Sequence, residues 1–316
     1  MPARVLITET LSEAAAQWLG ERADVVWCAY DAPPPELNAQ LAETEGLIVR
    51  TYTIVDGAFL DKAPKLKVVG RAGVGLDNID LQACKQRGVR VVSTPDANTQ
   101  AVVEYVIALM LDYYRPRTDL PASASADTFH QLRKTEVGTQ LDQLTLGIVG
   151  FGRIGKRLGK AAHAIGMNLK VCDILPEEEL RKAVDYPFEF VDHATLYAGS
   201  DIVTIHVDGR SENRRMLNAA AFKHLRDDCV FINAARGMLI DADDLADWAK
   251  AHPGAHAILD VHDPEPPTPD YPLHGLPNVR LLPHIASRTH QALDNMSWVV
   301  RDVLAVLEGQ EPKYPA

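Results

Sequence analysis

Short apolar runs alternate with segments whose apolar positions recur at helical spacing along most of the chain. That alternation is the signature of α/β units built around parallel sheets. An early series of strands is expected at Val5–Thr8, Val25–Cys28, Gly46–Val49, Leu66–Gly70 and Val89–Val92, with helices at Leu11–Leu19, Pro35–Leu41 and Leu81–Gln86. A second series begins at Leu146, with strands at Gly147–Val149, Leu169–Cys172, Ile202–Ile205, Val230–Asn233, Ala257–Asp260 and Val279–Leu281.

Two long helical segments flank that second series. One is Ala101–Tyr113, stopped by Arg115-Pro116; the other is Thr289–Leu307, ended by Gly309. Between them Ala122–Gly138 is polar and reads as a loop with one helical turn near Phe129. The expected fold class is α/β: two doubly wound parallel-sheet domains, Rossmann-like or flavodoxin-like. One domain takes residues 1–99 and 289–316 and is interrupted by the other, residues 100–288.

Length supports two domains, since 316 residues exceed what one ordinary core organises. A composition of 47% hydrophobic and 24% charged residues is that of a water-soluble globular chain. The net charge of -11 argues against a nucleic-acid partner, which needs a basic face. Cys28, Cys84, Cys172 and Cys229 lie far apart, which gives neither a metal-binding knuckle nor a disulfide framework. The most apolar helix, Ala101–Leu111, is interrupted by Glu104 and is shorter than the roughly 20 residues a membrane span needs. No signal-peptide pattern opens the chain, so a cytoplasmic protein without a membrane or metal site is expected.

The strongest chemical signal is Gly150-Phe151-Gly152-Arg153-Ile154-Gly155, between the apolar run Leu144–Val149 and a helical pattern over Lys156–Ile165. In such a turn the first glycine permits a tight reversal, the second lets backbone approach a pyrophosphate, and the third allows close helix–strand packing. The N–H groups and dipole of the new helix favour the phosphate charge. Asp173 ends the next strand roughly twenty residues on, placed to accept hydrogen bonds from an adenosine ribose. A carboxylate there repels a 2′-phosphate, so NAD is expected in preference to NADP. A second glycine-rich turn, Gly70-Arg71-Ala72-Gly73-Val74-Gly75, has the wrong spacing for this fingerprint; a plain turn and an anion-binding nest are equally good readings of it.

Three strand ends of the second series carry unusual polar residues. Asn233-Ala234-Ala235-Arg236-Gly237, Asp260-Val261-His262-Asp263-Pro264-Glu265-Pro266 and Pro283-His284-Ile285-Ala286 all fall where open parallel sheets bind ligands. Arg236, Glu265 and His284 taken singly would pass for a surface cation, a solvated loop acid and a strand-end histidine. Together, beside a nucleotide fold, they suit binding of an acid group and movement of a proton.

These segments, with Val68–Asp80 and Thr94-Pro95-Asp96-Ala97-Asn98, resemble the D-isomer-specific 2-hydroxyacid dehydrogenases over essentially the whole chain. Val69–Gly75 is most similar to the D-3-phosphoglycerate dehydrogenase and hydroxypyruvate reductase branch. The resemblance implies hydride transfer between NAD and a small D-2-hydroxy acid, with His284 as acid–base, Glu265 stabilising its imidazolium, and Arg236 holding the carboxylate and polarising the carbonyl. It implies that residues 100–288 bind NAD and that the interrupted domain binds substrate. It further implies substrate contacts from the Val74 and Gly75 N–H groups, Arg50 and Asn98, and cofactor contacts from Gly150–Gly155, Asp173, His206, Ala234, Asp260 and His284. A homodimer is implied as well.

Two segments depart from the family pattern. After Ile202–Ile205 the family reads His-x-Pro-Leu-Thr, whereas this chain has His206-Val207-Asp208-Gly209-Arg210, then Arg214-Arg215, which read first as surface charges and second as contacts to an anionic group. Where a tryptophan usually stands between Arg117 and Gly138, this chain has Phe129-His130. The chain ends at Ala316, so no appended regulatory domain is expected. Formate and phosphite dehydrogenases share the scaffold, but Glu265, where formate enzymes carry glutamine, disfavours formate. A non-catalytic NAD-sensing protein of the same fold is the alternative from a different class.

Overall fold

The structure, a computed structural model, describes residues 2–316. The chain divides into two compact units, one running to Asn98 and resuming at Ser287–Ala316, the other comprising Thr99–Ala286.

The first unit is a five-stranded parallel sheet of β1 (Arg4–Ile7), β2 (Asp24–Trp27), β3 (Gly46–Val49), β4 (Val68–Arg71) and β5 (Arg90–Val92), in the order β2-β1-β3-β4-β5. Alternate residues of β3 serve opposite faces: Leu47 and Val49 enter one apolar cluster, Ile48 the other. Both faces of β3 are therefore covered, which is why it is a continuous apolar run, whereas the edge strand β2 is only partly buried. The strand order reverses direction between β1 and β3, and the chain leaves both strands at the same edge.

The expected C-terminal helix is instead two, His290–Ser297 and Val300–Leu307. Around Trp298 and Val299 the bonding tightens to three-residue steps, with Trp298 N–H donating to Asn295 O and Val299 N–H to Met296 O, both at 3.3 Å. Val299, Val300 and Val303 then pack on the sheet fully buried, so tertiary burial re-aims the second helix.

The second unit is a seven-stranded parallel sheet of β6 (Thr145–Val149), β7 (Asn168–Cys172), β8 (Glu189–Phe190), β9 (Ile202–Ile205), β10 (Val230–Asn233), β11 (His256–Leu259) and β12 (Val279–Leu281), in the order β12-β11-β10-β9-β6-β7-β8. Leu146, Ile148, Val230 and Ile232 point into one core, while Val149, Val203, Ile205 and Phe231 point into the other. Each such side chain contributes about 1.5–3 kcal/mol on burial. The Thr99–Tyr114 helix lays Val102, Val103, Val106, Leu109 and Met110 on the first core at three- and four-residue spacing, and ends before Pro116.

One expectation needs correction here, and one element was not foreseen. Ala126–Thr135, within the stretch expected to be loop, is a ten-residue helix. Ser125 caps it by accepting from Thr128 N–H, Asp127 lies in its first turn, and Arg133 and Lys134 lie in its last. It buries no side chain, so it has no apolar stripe to announce it. The Ala242–Ala251 helix, capped by Asp241 and burying Leu245, Ala246, Trp248 and Ala249, was not anticipated.

Candidate active site

The helix after β6 begins at Arg153, three residues earlier than its apolar pattern suggested, with Gly152 as its cap. The N–H groups of Arg153, Ile154 and Gly155 thus form its first turn, where no intrahelical acceptor exists. Gly150 has φ +89°, and a Cβ there would stand 2.7 Å from the His206 carbonyl oxygen. A Cβ at Gly155 would stand 2.2 Å from the Gly150 carbonyl oxygen, whereas around Gly152 there is open space. Turn and helix therefore present N–H groups to an unobstructed surface, which fits a pyrophosphate. The Phe151 side chain is fully buried against Tyr186 and Phe188, and its N–H donates to Asp173 Oδ2 at 2.5 Å. Asp173 also accepts from Leu175 N–H at 2.8 Å and stays partly exposed, so each oxygen retains a lone pair toward solvent.

Along the same edge of the sheet the ends of β10, β11 and β12 carry the three polar residues singled out above; Glu265 and His284 meet, while Arg236 Nη1 donates to the Ala235 carbonyl at 2.7 Å. Asn233, completely buried, shapes the turn after β10: its Oδ1 accepts from Ala235 N–H at 3.0 Å and its Nδ2 donates to Arg236 O at 2.8 Å. Gly237 follows because a Cβ there would lie 1.9 Å from the His262 carbonyl carbon, so the Arg236 turn and the His262–Glu265 loop touch backbone to backbone. His262 Nε2 is 2.8 Å from Leu282 O, tying that loop to the segment that carries His284. His284 Nδ1 meets Glu265 Oε1 at 2.5 Å, and Glu265 Oε2 accepts from His262 N–H at 3.2 Å. Burial pushes the Glu265 carboxyl up, but the His284 hydrogen bond and charge and the His262 N–H outweigh it, holding the group below the usual carboxylate range. His284 is 38% exposed and Glu265 36%, so the pair is within reach of a ligand.

His284 itself has φ +54°, in the left-handed region that a β-carbon disfavours. The next two residues hold it there. Asp260 is fully buried, its Oδ1 accepting from Ile285 N–H at 3.0 Å and from the Tyr105 hydroxyl at 3.1 Å, its Oδ2 from Ala286 N–H at 2.8 Å. Desolvation and the Asp260 charge push the Tyr105 phenol well up, so it acts as a neutral donor. With both oxygens engaged inside the fold, Asp260 is positioned to fix the His284 turn.

Residues 107–286 match the sequence profile described as the D-isomer specific 2-hydroxyacid dehydrogenase, NAD binding domain. The chain belongs to this family. It is 35% identical over 307 residues to a D-3-phosphoglycerate dehydrogenase of Archaeoglobus fulgidus, an alignment covering 97% of this chain but 58% of that protein. The chain thus spans little more than half the length of that relative. A hydroxypyruvate reductase of Thermotoga maritima is 32% identical over 291 residues, covering 92% of this chain and 93% of the relative. Among solved structures, the TT0316 protein of Thermus thermophilus superposes with TM-score 0.83 at 32% identity over 99% of both chains. An NADPH-dependent glyoxylate/hydroxypyruvate reductase of Sinorhizobium meliloti, solved with NADP and malonate, gives 0.80 at 25% identity, covering all of this chain and 97% of the other. The 2-hydroxyacid dehydrogenase fold and a nicotinamide-dinucleotide domain are therefore established for this chain.

In this family member the departing loop after β9 is held by ion pairs, one within it and two to acids elsewhere in the unit. Arg210 forms a fork with Asp208 at 2.7 and 2.5 Å, Arg214 pairs with Asp263 at 2.9 Å, and Arg215 with Asp241 at 3.2 Å. His206 lies beside the Gly150 turn with Nε2 3.1 Å from Thr204 Oγ1, and burial pushes its pKa down to about 4, so it is neutral. Ala234, partly buried, begins the turn after β10. In the first unit the Val74 and Gly75 N–H groups are engaged by no described residue. The buried Oδ1 of Asn98 also lacks a hydrogen-bond partner among the described residues. Arg50 is half-buried just beyond β3. Asn233, Gly237, His262 and Tyr105 were not picked out from the sequence as site residues. The first three stand inside the quoted motifs, but only the fold shows that they join the strand ends.

Proposed function

We propose that this protein is an NAD-dependent oxidoreductase that interconverts a small D-2-hydroxy acid and its 2-oxo acid. The observation that carries the reading is the 2.5 Å His284–Glu265 pair on the same sheet edge as the dinucleotide turn. NAD, when bound, supplies the hydride acceptor or donor. His284 takes the hydroxyl proton in oxidation and returns it in reduction. Glu265, held as a carboxylate, orients the ring through Nδ1 and leaves Nε2 for the substrate. Arg236 binds the substrate carboxylate and stabilises charge that grows on the carbonyl oxygen. Asp260 and Tyr105 fix the turn that aims His284. The Val74 and Gly75 N–H groups and the Asn98 and Arg50 side chains complete the substrate contacts, while Gly150–Gly155, Asp173, His206 and Ala234 serve the cofactor.

Asp173 supports NAD over NADP, because its carboxylate opposes a 2′-phosphate on the ribose it faces. Acids of the phosphoglycerate and glycerate–hydroxypyruvate type head the substrate candidates, following the relatives. A homodimer is supported by the Ala126–Thr135 helix, which buries nothing within the chain while Phe129 and neighbouring Leu120 and Val137 stand exposed. Four free, buried cysteines suit a reducing, cytoplasmic setting.

The test is NADH absorbance over a panel of 2-oxo acids. Turnover is expected for at least one acid, and His284→Ala is expected to lose most of it, on the order of 10²–10⁴-fold, while still binding NADH. Near-normal turnover in that variant overturns the assignment of His284. Binding of NADH with no turnover of any acid favours an NAD sensor instead.

A further inference from the structure

Where the backbone pairing of β11 with β12 gives out, a side chain takes it over. Leu282 N–H still donates to Leu259 O at 2.8 Å. Beyond Leu259 the chain turns away, with Asp260 N–H donating to Asn233 O at 2.9 Å, and Pro283 has no N–H to offer. Among the described residues no backbone N–H donates to the Leu282 carbonyl. That oxygen lies instead 2.8 Å from Nε2 of His262. A carbonyl can only accept, so Nε2 carries the ring hydrogen.

The same residue holds the acid. His262 N–H donates to Glu265 Oε2 at 3.2 Å, while Glu265 Oε1 meets His284 Nδ1 at 2.5 Å. The links close a circuit. It runs from the His262 main chain to Glu265, across to His284, and back through Pro283 and Leu282 to the His262 imidazole. The residue is buried, and its ring stands edge-on to Tyr271 with centroids 5.8 Å apart at 88°. The other ring nitrogen, Nδ1, is buried with no hydrogen-bond partner among the described residues. A phenyl ring would fill this place without burying an unpaired nitrogen, so packing alone does not ask for histidine here. The bond to Leu282 does.

Resting on the dehydrogenase reading above, we propose that His262 is a positioning residue for the proton transfer, its ring N–H on the Leu282 carbonyl setting the separation of Glu265 and His284. Held at that separation, Glu265 keeps the hydrogen of the neutral His284 ring on Nδ1 and leaves the Nε2 lone pair to the substrate hydroxyl. Without the bond to Leu282, the loop carrying Glu265 is free to drift from the segment carrying His284. The step that moves a proton then slows while binding persists, because a misplacement of about 1 Å costs on the order of a hundredfold.

Two substitutions separate the bond from the packing. His262→Phe keeps an aromatic ring against Tyr271 and removes the donor, whereas His262→Gln sets an amide nitrogen where Nε2 stood. With the 2-oxo acid that the unaltered protein reduces best, His262→Phe is expected to lower kcat about ten- to hundredfold, while KM for the acid and the dissociation constant for NADH stay within about threefold. His262→Gln is expected to stay within about fivefold of the parent in kcat. The tautomers give a readout independent of turnover. Ring-nitrogen NMR shifts of isotope-labelled histidine should place the hydrogen of the neutral rings on Nε2 of His262 and Nδ1 of His284, and His284 should lose that preference in His262→Phe. A kcat for His262→Phe within about twofold of the parent, a loss confined to KM or NADH binding, or a His262→Gln no better than His262→Phe overturns the proposal. If His262→Phe does not fold, a His262→Gln more than about tenfold slower than the parent, or a hydrogen on Nδ1 of His262 in the unaltered protein, overturns it. Absence of turnover with every acid overturns the dehydrogenase reading alone. His262 is then judged by the tautomers, and an unchanged His284 preference in His262→Phe removes its positioning role.

Discussion

Replacing Asp260 with asparagine probes how the catalytic turn is held. Asparagine keeps one acceptor oxygen and turns the other position into a donor. The least costly orientation leaves the amide oxygen where Oδ1 now takes the Ile285 N–H and the Tyr105 hydroxyl, and sets the amide NH₂ against the Ala286 N–H, a contact of 2.8 Å in the parent. One hydrogen bond to a charged group disappears, worth about 1.5–3 kcal/mol, and a buried N–H loses its acceptor, worth about 1–3 kcal/mol more. His284 at φ +54° sits in a conformation that costs a non-glycine residue roughly 1–2 kcal/mol, so the loosened turn has somewhere to relax. We expect Asp260→Asn to lower the unfolding free energy by about 3–5 kcal/mol in urea titrations. A displaced acid–base group of this kind costs on the order of a hundredfold in kcat, while the dissociation constant for NADH, read by fluorescence, stays within about threefold. A variant that unfolds within about 1 kcal/mol of the parent and turns over at the parental rate refutes the clamp. Normal turnover with a tenfold loss of NADH affinity would instead make Asp260 a cofactor contact.

Further outcomes follow from other residues of the second unit. Asp173→Ser removes the charge opposing a 2′-phosphate, and the ratio of kcat/KM with NADPH to that with NADH is expected to rise about ten- to hundredfold; an unchanged ratio withdraws Asp173 as the cofactor selector. His206 is buried neutral, its pKa lowered from 6.5 to about 4, so the unfolded chain takes up a proton that the folded protein refuses. Stability present above pH 6.5 is therefore lost as the pH falls toward 4, and His206→Gln is expected to reduce that loss by about 1–2 kcal/mol, a figure discounted because the ring keeps some solvent contact. Urea titrations at both ends of the range check it, and identical pH dependence in the two proteins counts against the buried neutral ring.

Much of this site was legible because its residues sit where local sequence sets local structure. A strand buried on both faces cannot hide, so β3, β9 and β10 stand where their apolar runs begin and end. Arg236, Glu265 and His284 are visible because polar residues at such ends interrupt an otherwise apolar pattern. What escaped is of two kinds. The Ala126–Thr135 helix is stabilised by its cap and terminal charges rather than by burial, so hydrophobic periodicity carried no trace of it. Tyr105 reaches Asp260 across 155 residues of sequence, and the near approach of Gly237 to His262 is likewise set by packing between loops. Contacts of that kind have no local pattern. The break at Trp298 has the same origin, because the sheet beneath Val299 and Val303 decides it.

The Glu9 carboxylate shapes the loop that carries Arg50 beyond β3. It gathers the amides of four consecutive residues, Arg50 to Thr53, from a position 41 residues earlier in the chain. Tyr52, at 64% exposure, and Ile54, at 65%, lie in or beside that segment, which would otherwise be a surface loop free to wander. Anchored in this way, its amides are expected to exchange with deuterium on the timescale of the sheet rather than of a loop. A ligand reaching Arg50 then meets a receptor already shaped and loses little entropy to ordering it, so discrimination between acids rests on chemical fit rather than on induced movement.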